Sequence, residues 1–426
     1  MNDTVYALSS GSPPAGIAVI RISGPAARKT LVALGRRLPE PRMASVRALR
    51  ASDGELLDRA LVLWFPGPAT ATGEDMAELH LHGGRAVVMA VERALGNLPG
   101  LRKATPGEFT RRAFANGRID LAEAEGLADL LTAETELQRR HALSLASGAF
   151  STQVCGWRDR VLIASAALEA TLDFGDEEDV EQLPPGFADD LQGLADELTA
   201  AIEAPRAEQL REGFRVVLAG PPNSGKSSLF NALVEHEAAI TAPIAGTTRD
   251  VLTRPVALDG VPFLFADTAG LREHTDDVIE VIGIQRARLT LEQADLVLWL
   301  GDEGAAAGKL VWEIESFADV PNRPAKVSPR HRVSAQTGQG IIGLREDLVA
   351  LARQTMAGPS LHALNTRQRE LMEAAKLAIE EAARATDALI VGEAMRTARL
   401  AFDRILGRAA TEDMLDTLFS RFCIGK

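Results

Sequence analysis

Only two cysteines, Cys155 and Cys423, occur among 426 residues. They do not make a disulfide framework, and a reducing compartment is the expected home. No apolar run approaches the roughly eighteen residues a bilayer-spanning helix needs, so no membrane partner is expected. The first residues, Met-Asn-Asp-Thr-Val-Tyr-Ala-Leu-Ser-Ser, lack a basic stretch followed by an apolar core; no export signal is visible, and the cytoplasm is the expected location. A basic surplus is missing as well: 46 Lys and Arg stand against 59 Asp and Glu, for a net charge of −13. Surfaces that hold nucleic acid are usually basic. Any such contact is therefore expected to be local or supplied largely by a partner.

Hydrophobic residues make up 46% of the chain, which marks it as globular, and the length exceeds what one core organises. Up to about residue 118, short alternating runs such as Gly-Ile-Ala-Val-Ile-Arg-Ile, broken by Gly and Pro, predict an α+β domain. From 119 the period becomes helical. Asp120 with Glu123 has the spacing of a capping box, and Leu121, Ala124, Leu127, Ala128 and Leu131 fall on one stripe. Further helices are predicted at 157–172, 188–210, 365–387, 392–406 and 411–421. Residues 173–182 hold six acids in ten positions, read as a solvated loop rather than a metal site. The economical division is 1–118, a discontinuous all-α helical domain from 119–210 plus 357–426, and an inserted α/β domain at 211–356.

The inserted segment carries the chemistry. An apolar run at 215–219 leads into Gly220-Pro-Pro-Asn-Ser-Gly225-Lys226-Ser227, the GxxxxGKS spacing of a phosphate loop. Glycines let backbone N–H groups close around a β-phosphate, Lys226 brings a point charge to the β- and γ-oxygens, Ser227 ligates magnesium, and the following helix adds its positive end. Downstream, Ile244-Ala-Gly-Thr-Thr-Arg-Asp250 offers Thr247 or Thr248 to the magnesium. Two alternating runs around the turn Asp259-Gly260 then end in Asp267-Thr-Ala-Gly270, where Asp267 suits magnesium-bound water and Gly270 the γ-phosphate. In this order the three motifs define a P-loop GTPase (Ras-like) module. Leu271 stands where many such enzymes position water with glutamine. Hydrolysis then calls for another device: Asn223, with carbonyls of the loop at 241–247, to hold a monovalent cation beside the phosphates. The plainer reading of Asn223 is a loop-stabilising amide. Glu280 is the preferred acid for positioning water, with Glu273, Asp276 and Asp277 as rivals.

These motifs, together with Ile20-Arg-Ile-Ser-Gly24, residues 65–84, residues 105–130 and the ending Phe422-Cys-Ile-Gly-Lys426, resemble the tRNA-modifying GTPase family MnmE, also called TrmE, from end to end. The resemblance implies a GTP-hydrolysing, potassium-dependent homodimer that acts with the flavoprotein MnmG to add an aminomethyl or carboxymethylaminomethyl group at C5 of the wobble uridine of certain tRNAs. It implies a tetrahydrofolate one-carbon derivative bound by the N-terminal domain at Arg21, Glu78 and Arg118, the last being lysine in most of the family. GTP contacts map to Asn223, Ser224, Gly225, Lys226, Ser227 and Ser228, to Ala242, Pro243, Ile244, Ala245, Gly246, Thr247 and Thr248, and to Asp267, Thr268, Ala269 and Gly270. Magnesium falls to Ser227 and Thr248, and potassium to Asn223, Ala242, Ile244 and Thr247. Glu280 and Cys423 are the catalytic candidates. His80 and His82 share a strand face, but with no further ligand they read as packing or pocket lining.

One departure stands out. Such GTPases follow a strand with Asn or Thr, Lys, any residue and Asp, the aspartate accepting the guanine N–H groups. After the run at 296–301, the segment 321–329 offers Asn322 or Lys326 but no aspartate at the right offset, which predicts relaxed preference for GTP over ATP. Ser334-Ala-Gln336 still resembles the loop whose backbone N–H meets guanine O6. Two other classes remain open on sequence: a regulatory GTPase of ribosome assembly, and a folate-binding scaffold with relaxed nucleotide selectivity.

Overall fold

The structure is a computed structural model that describes residues 3–174, 185–203, 207–234, 252–267, 291–305, 309–321, 323, 325–356 and 363–425. It forms two compact units: Met1–Ala128 with Ala146–Gly156 and Phe402–Lys426, and Asp129–Leu145 with Trp157–Ala401.

The first unit is built on β1 (Thr4–Leu8), β2 (Ile17–Ser23), β3 (Ser45–Arg50), β4 (Leu56–Phe65), β5 (Met76–His82) and β6 (Leu101–Lys103), in sheet order β3-β4-β5-β2-β1-β6. All neighbours are antiparallel except β1 and β6. Alternation decides the faces: Ala18, Ile20, Ile22, Val62, Leu79 and Leu81 point to one side, where Leu31 and Leu34 of α1 (Ala27–Gly35) and Val91 and Leu95 of α2 (Arg85–Gly96) cover them. The intervening positions, Arg21, Glu78 and His80 among them, emerge on the other side. Helix α3 (Glu108–Ala115) follows, then α4 (Leu121–Thr132). The capping box forms as its spacing predicted, Glu123 accepting from the Asp120 N–H at 2.7 Å and Asp120 from that of Glu123 at 2.9 Å. Of the stripe, Leu121 and Ala124 are buried, while Leu131 is exposed. The last helix, α13 (Glu412–Phe419), packs on this unit: Phe419 and Phe422 join Leu121, Ala124 and Phe114 in one cluster, and Arg111 pairs with Glu412 and Asp416.

Helices α5 (Glu136–Ala146), α6 (Ala149–Phe174, which belongs to the second unit from Trp157 on), α7 (Phe187–Ile202) and α8 (Ala207–Glu212) precede a second sheet. Its strands are β7 (Phe214–Ala219), β8 (Leu252–Leu258), β9 (Val261–Asp267), β10 (Leu296–Trp299), β11 (Val311–Glu315) and β12 (His331–Arg332), in the order β12-β11-β10-β7-β9-β8. Every pair is parallel except β8 with β9, joined by the two-residue turn Asp259-Gly260 with φ of 47° and 78°. Positive φ at both turn residues is what a type I′ hairpin demands. Helix α9 (Lys226–Val234) and α10 (Ile341–Met356) pack with Phe214, Phe263 and Phe265 in a common core. Each of those buried rings contributes roughly 1.5–3 kcal/mol through the apolar surface it removes from water. Helices α11 (Thr366–Arg384) and α12 (Ala388–Ile405) complete the chain before α13, and α11 opens on a capping box of Asn365 and Gln368.

Candidate nucleotide and N-terminal sites

Strand β7 is fully surrounded, paired with β9 on one side and β10 on the other, so its C-terminal end is a fixed launching point for the loop 220–225. Backbone conformation there is unusual at three residues: Gly220 has φ 152°, Asn223 59° and Gly225 93°. A Cβ at Gly220 would lie 3.0 Å from Ser224 Oγ and 3.1 Å from the Gly301 backbone N, and one at Gly225 would lie 3.1 Å from the Phe317 ring. The loop therefore closes as tightly as glycine permits. Lys226, 6% exposed, donates from Nζ to the carbonyls of Pro221 at 2.8 Å and Gly220 at 3.1 Å, which folds the ammonium across the loop. Ser224 Oγ is buried without a hydrogen-bond partner. A curled backbone, a nearly buried ammonium, a helix N-terminus and an unsatisfied hydroxyl suit a triphosphate. Ser227 lies in the first turn of α9. Asn223 takes the left-handed conformation that asparagine tolerates better than most residues.

Between β10 and the segment 321–329 the chain forms a further strand, β11, and Ser316-Phe317-Ala318-Asp319 follows it directly. Ser316 Oγ donates to the Ser224 carbonyl at 2.7 Å, tying this segment to the phosphate loop, and the Ala318 N–H donates to the Val333 carbonyl at 3.0 Å. Beside it, Ser334 is fully buried; its Oγ accepts from the Thr337 N–H at 3.1 Å, and its carbonyl from that of Gly338 at 3.0 Å. Asp319, three residues after Ser316, is exposed. Lys326 has a structural role instead: Nζ donates to the Trp299 carbonyl at 2.9 Å and pairs with Glu313 at 2.5 Å. Asn322 lies outside the described residues. So do Ala242, Pro243, Ile244, Ala245, Gly246, Thr247, Thr248, Thr268, Ala269, Gly270, Glu280 and its three rivals. Of Asp267 the backbone is described, pairing with Leu218 at the end of β9.

In the first unit, Arg21 and Glu78 are cross-strand partners. Arg21 donates to Glu78 Oε1 from Nη2 at 3.0 Å and Nε at 3.2 Å, while Glu78 Oε2 lies 3.2 Å from His80 Nε2. Arg21 also sits over the Phe109 ring at 5.9 Å. Arg118 packs against Gly73. The adjoining Thr72 bonds to Ser23 at 2.7 Å and to Asn116 at 2.7 Å. A half-buried charged pair and its histidine on an open sheet face fit a heterocycle carrying N–H groups. On α3, which also carries Phe109, Arg112 is fully buried and held by Asp3, Glu74 and Glu108. Burial pushes the Glu108 carboxyl up, but Arg102, the Thr105 N–H and Arg112 together outweigh it and bring its pKa down to about 2. Cys423 is exposed, next to buried Phe422, on its own chain's first unit. Among the described residues no group of three or more His, Cys, Asp or Glu is placed to hold a metal ion, and no helix is long and apolar enough to cross a membrane.

A sheet of this order, parallel but for β8, with a phosphate loop at the end of a central strand, is the framework of a P-loop GTPase. The family model described as MnmE helical domain matches residues 121–423, and that described as GTP-binding protein TrmE N-terminus matches 4–118. Proteins named tRNA modification GTPase MnmE from Erythrobacter litoralis and Novosphingobium aromaticivorans are 59% and 60% identical over the whole of both chains, and one from Rhizorhabdus wittichii is 56% identical over all of this chain and 97% of its own. The chain belongs to the MnmE (TrmE) family of tRNA modification GTPases. It hydrolyses GTP, with magnesium, in the service of tRNA modification.

Proposed function

We propose that this GTPase works with an MnmG-type flavoprotein as a homodimer in the cytoplasm, adding an aminomethyl or carboxymethylaminomethyl group at C5 of wobble uridine. The observation that carries the reading is the end-to-end match to the family, with the N-terminal sheet and the phosphate loop both formed. In this account the division at 118, 210 and 356 separates a one-carbon carrier domain, a helical domain and a nucleotide domain. Lys226 neutralises β- and γ-oxygens, Ser227 and Thr248 hold magnesium, and Asp319 accepts the guanine N–H groups. Asn223 with Ala242, Ile244 and Thr247 holds potassium, which supplies positive charge beside the phosphates when bound, and Glu280 positions water. Glu78 accepts from the pterin of a tetrahydrofolate derivative, Arg21 fixes the Glu78 carboxylate, and Arg118 meets the carrier's carboxylates. Cys423 acts in the modification step rather than in hydrolysis. A net charge of −13 supports tRNA being held largely by the flavoprotein partner.

Nucleoside analysis of tRNA from cells lacking this chain tests the proposal. The expected result is wobble uridine unmodified at C5, with the modified nucleoside returning when the chain is restored. Full modification in its absence would refute the reading.

A further inference from the structure

We propose that Phe317 is the surface on which the nucleobase stacks, in the position where the guanine motif carries lysine, and that Arg323 backs the ring. Phe317 has φ 60°, a left-handed conformation that is strained for a bulky residue. Such strain persists where the surroundings fix it, and here they do. The ring edge packs against Gly225 of the phosphate loop, the Arg323 guanidinium lies 4.0 Å from its centroid, and the Phe317 carbonyl accepts from the Val320 N–H at 2.9 Å. Ser316 on one side is bonded to Ser224, and Asp319 lies two residues on. The ring is nevertheless only half-buried.

An aromatic ring held rigidly between a phosphate loop and a carboxylate has the chemistry to stack a purine while those two groups engage its phosphates and its edge. A cation on one face draws π-density toward itself, which leaves the opposite face better matched to an electron-rich base. Stacking accepts any base, because every base has a π-face. The structure thus assigns two separate tasks: Phe317 adds affinity for purine nucleotides in general, and Asp319 chooses guanine among them. The inference rests on 316–319 being the base-reading segment.

Binding of GDP, ADP and XDP to the full-length chain separates the possibilities. Phe317→Ala is expected to weaken all three by about tenfold with their ratios unchanged. Asp319→Asn is expected to weaken GDP and strengthen XDP, because the amide donates to the xanthine C2 oxygen where the carboxylate accepted from guanine. Phe317→Trp keeps a ring in place and gives a direct reading even if the alanine variant is unstable: its emission, after subtracting the same titration of the unsubstituted protein, is quenched by GDP. Unchanged affinity of Phe317→Ala, or no quenching of the tryptophan, alongside a base switch in Asp319→Asn overturns the platform alone. If Asp319→Asn leaves base preference untouched, the segment does not read the base and both assignments fall.

Discussion

Replacing Arg112 by methionine should loosen the N-terminal unit specifically. The guanidinium is fully buried and serves three carboxylates: Glu74 at 3.1 Å, Asp3 at 2.8 Å and Glu108 at 3.0 Å. Asp3 keeps substantial solvent contact and Glu108 keeps Arg102 at 2.6 Å, so the charge that loses its cation is Glu74, 13% exposed, which retains the Ser23 hydroxyl at 2.7 Å. Removing one partner of a buried pair costs roughly 3–5 kcal/mol, and with two of three carboxylates otherwise provided for, about 3 kcal/mol is expected. Hydrogen exchange of the full chain is the suitable assay, since a two-unit protein need not unfold in one step. Peptides covering 101–118 should exchange about a hundredfold faster, while those covering β7 and α9 stay as they are. Adding Glu74→Gln should recover part of the loss. Acid acts on the same network. Glu108 has a folded pKa of about 2 against an ordinary 4.5, so its contribution, about 3 kcal/mol, is complete above pH 4.5 and lost as pH falls toward 2. Uniform acceleration over both units, or less than a threefold change at 101–118, would refute the reasoning.

Potassium should raise GTP hydrolysis well above the rate in sodium, because a cage of carbonyls sized for the larger ion cannot close on the smaller one; equal rates remove Asn223 and its loop from the mechanism. Cys423→Ser should leave hydrolysis intact and reduce tRNA modification, and full modification would make the residue dispensable. Gly260→Ala places a side chain at φ 78° and 3.3 Å from Glu136 Cβ, and should cost at least about 1 kcal/mol, read as a fall in the melting temperature of the nucleotide-binding unit.

What could be read in advance were features whose cause is local. The Asp120/Glu123 box and the Asp259-Gly260 turn depend on residues within three positions of each other, and both form as their spacing requires. Strand β11 is only five residues long, Trp312 and Ile314 alternating with Glu313 and Glu315, and those carboxylates are met by Lys326 and Arg332, partners that only the folded chain brings up. Arg112 is the same lesson in the first unit. Thr-Arg-Arg-Ala-Phe reads as an exposed helix face, yet the second arginine is buried by Asp3 and Glu74, 109 and 38 residues away. The packing of Phe419 and Phe422 beside Phe114 likewise joins the two ends of the sequence, which no periodicity can announce.

The central claim, that nucleotide held at this phosphate loop drives tRNA modification, is tested most directly by supplying Lys226→Ala to cells that lack the native chain and quantifying C5-modified wobble uridine in their tRNA. Lys226 bonds across the loop through its Nζ to the carbonyls of Gly220 and Pro221, and the amount of folded Lys226→Ala protein in the cells is measured alongside. The account predicts wobble uridine left unmodified, as in cells without the chain, while the unsubstituted protein restores it. Modification restored to the same level by Lys226→Ala would contradict it.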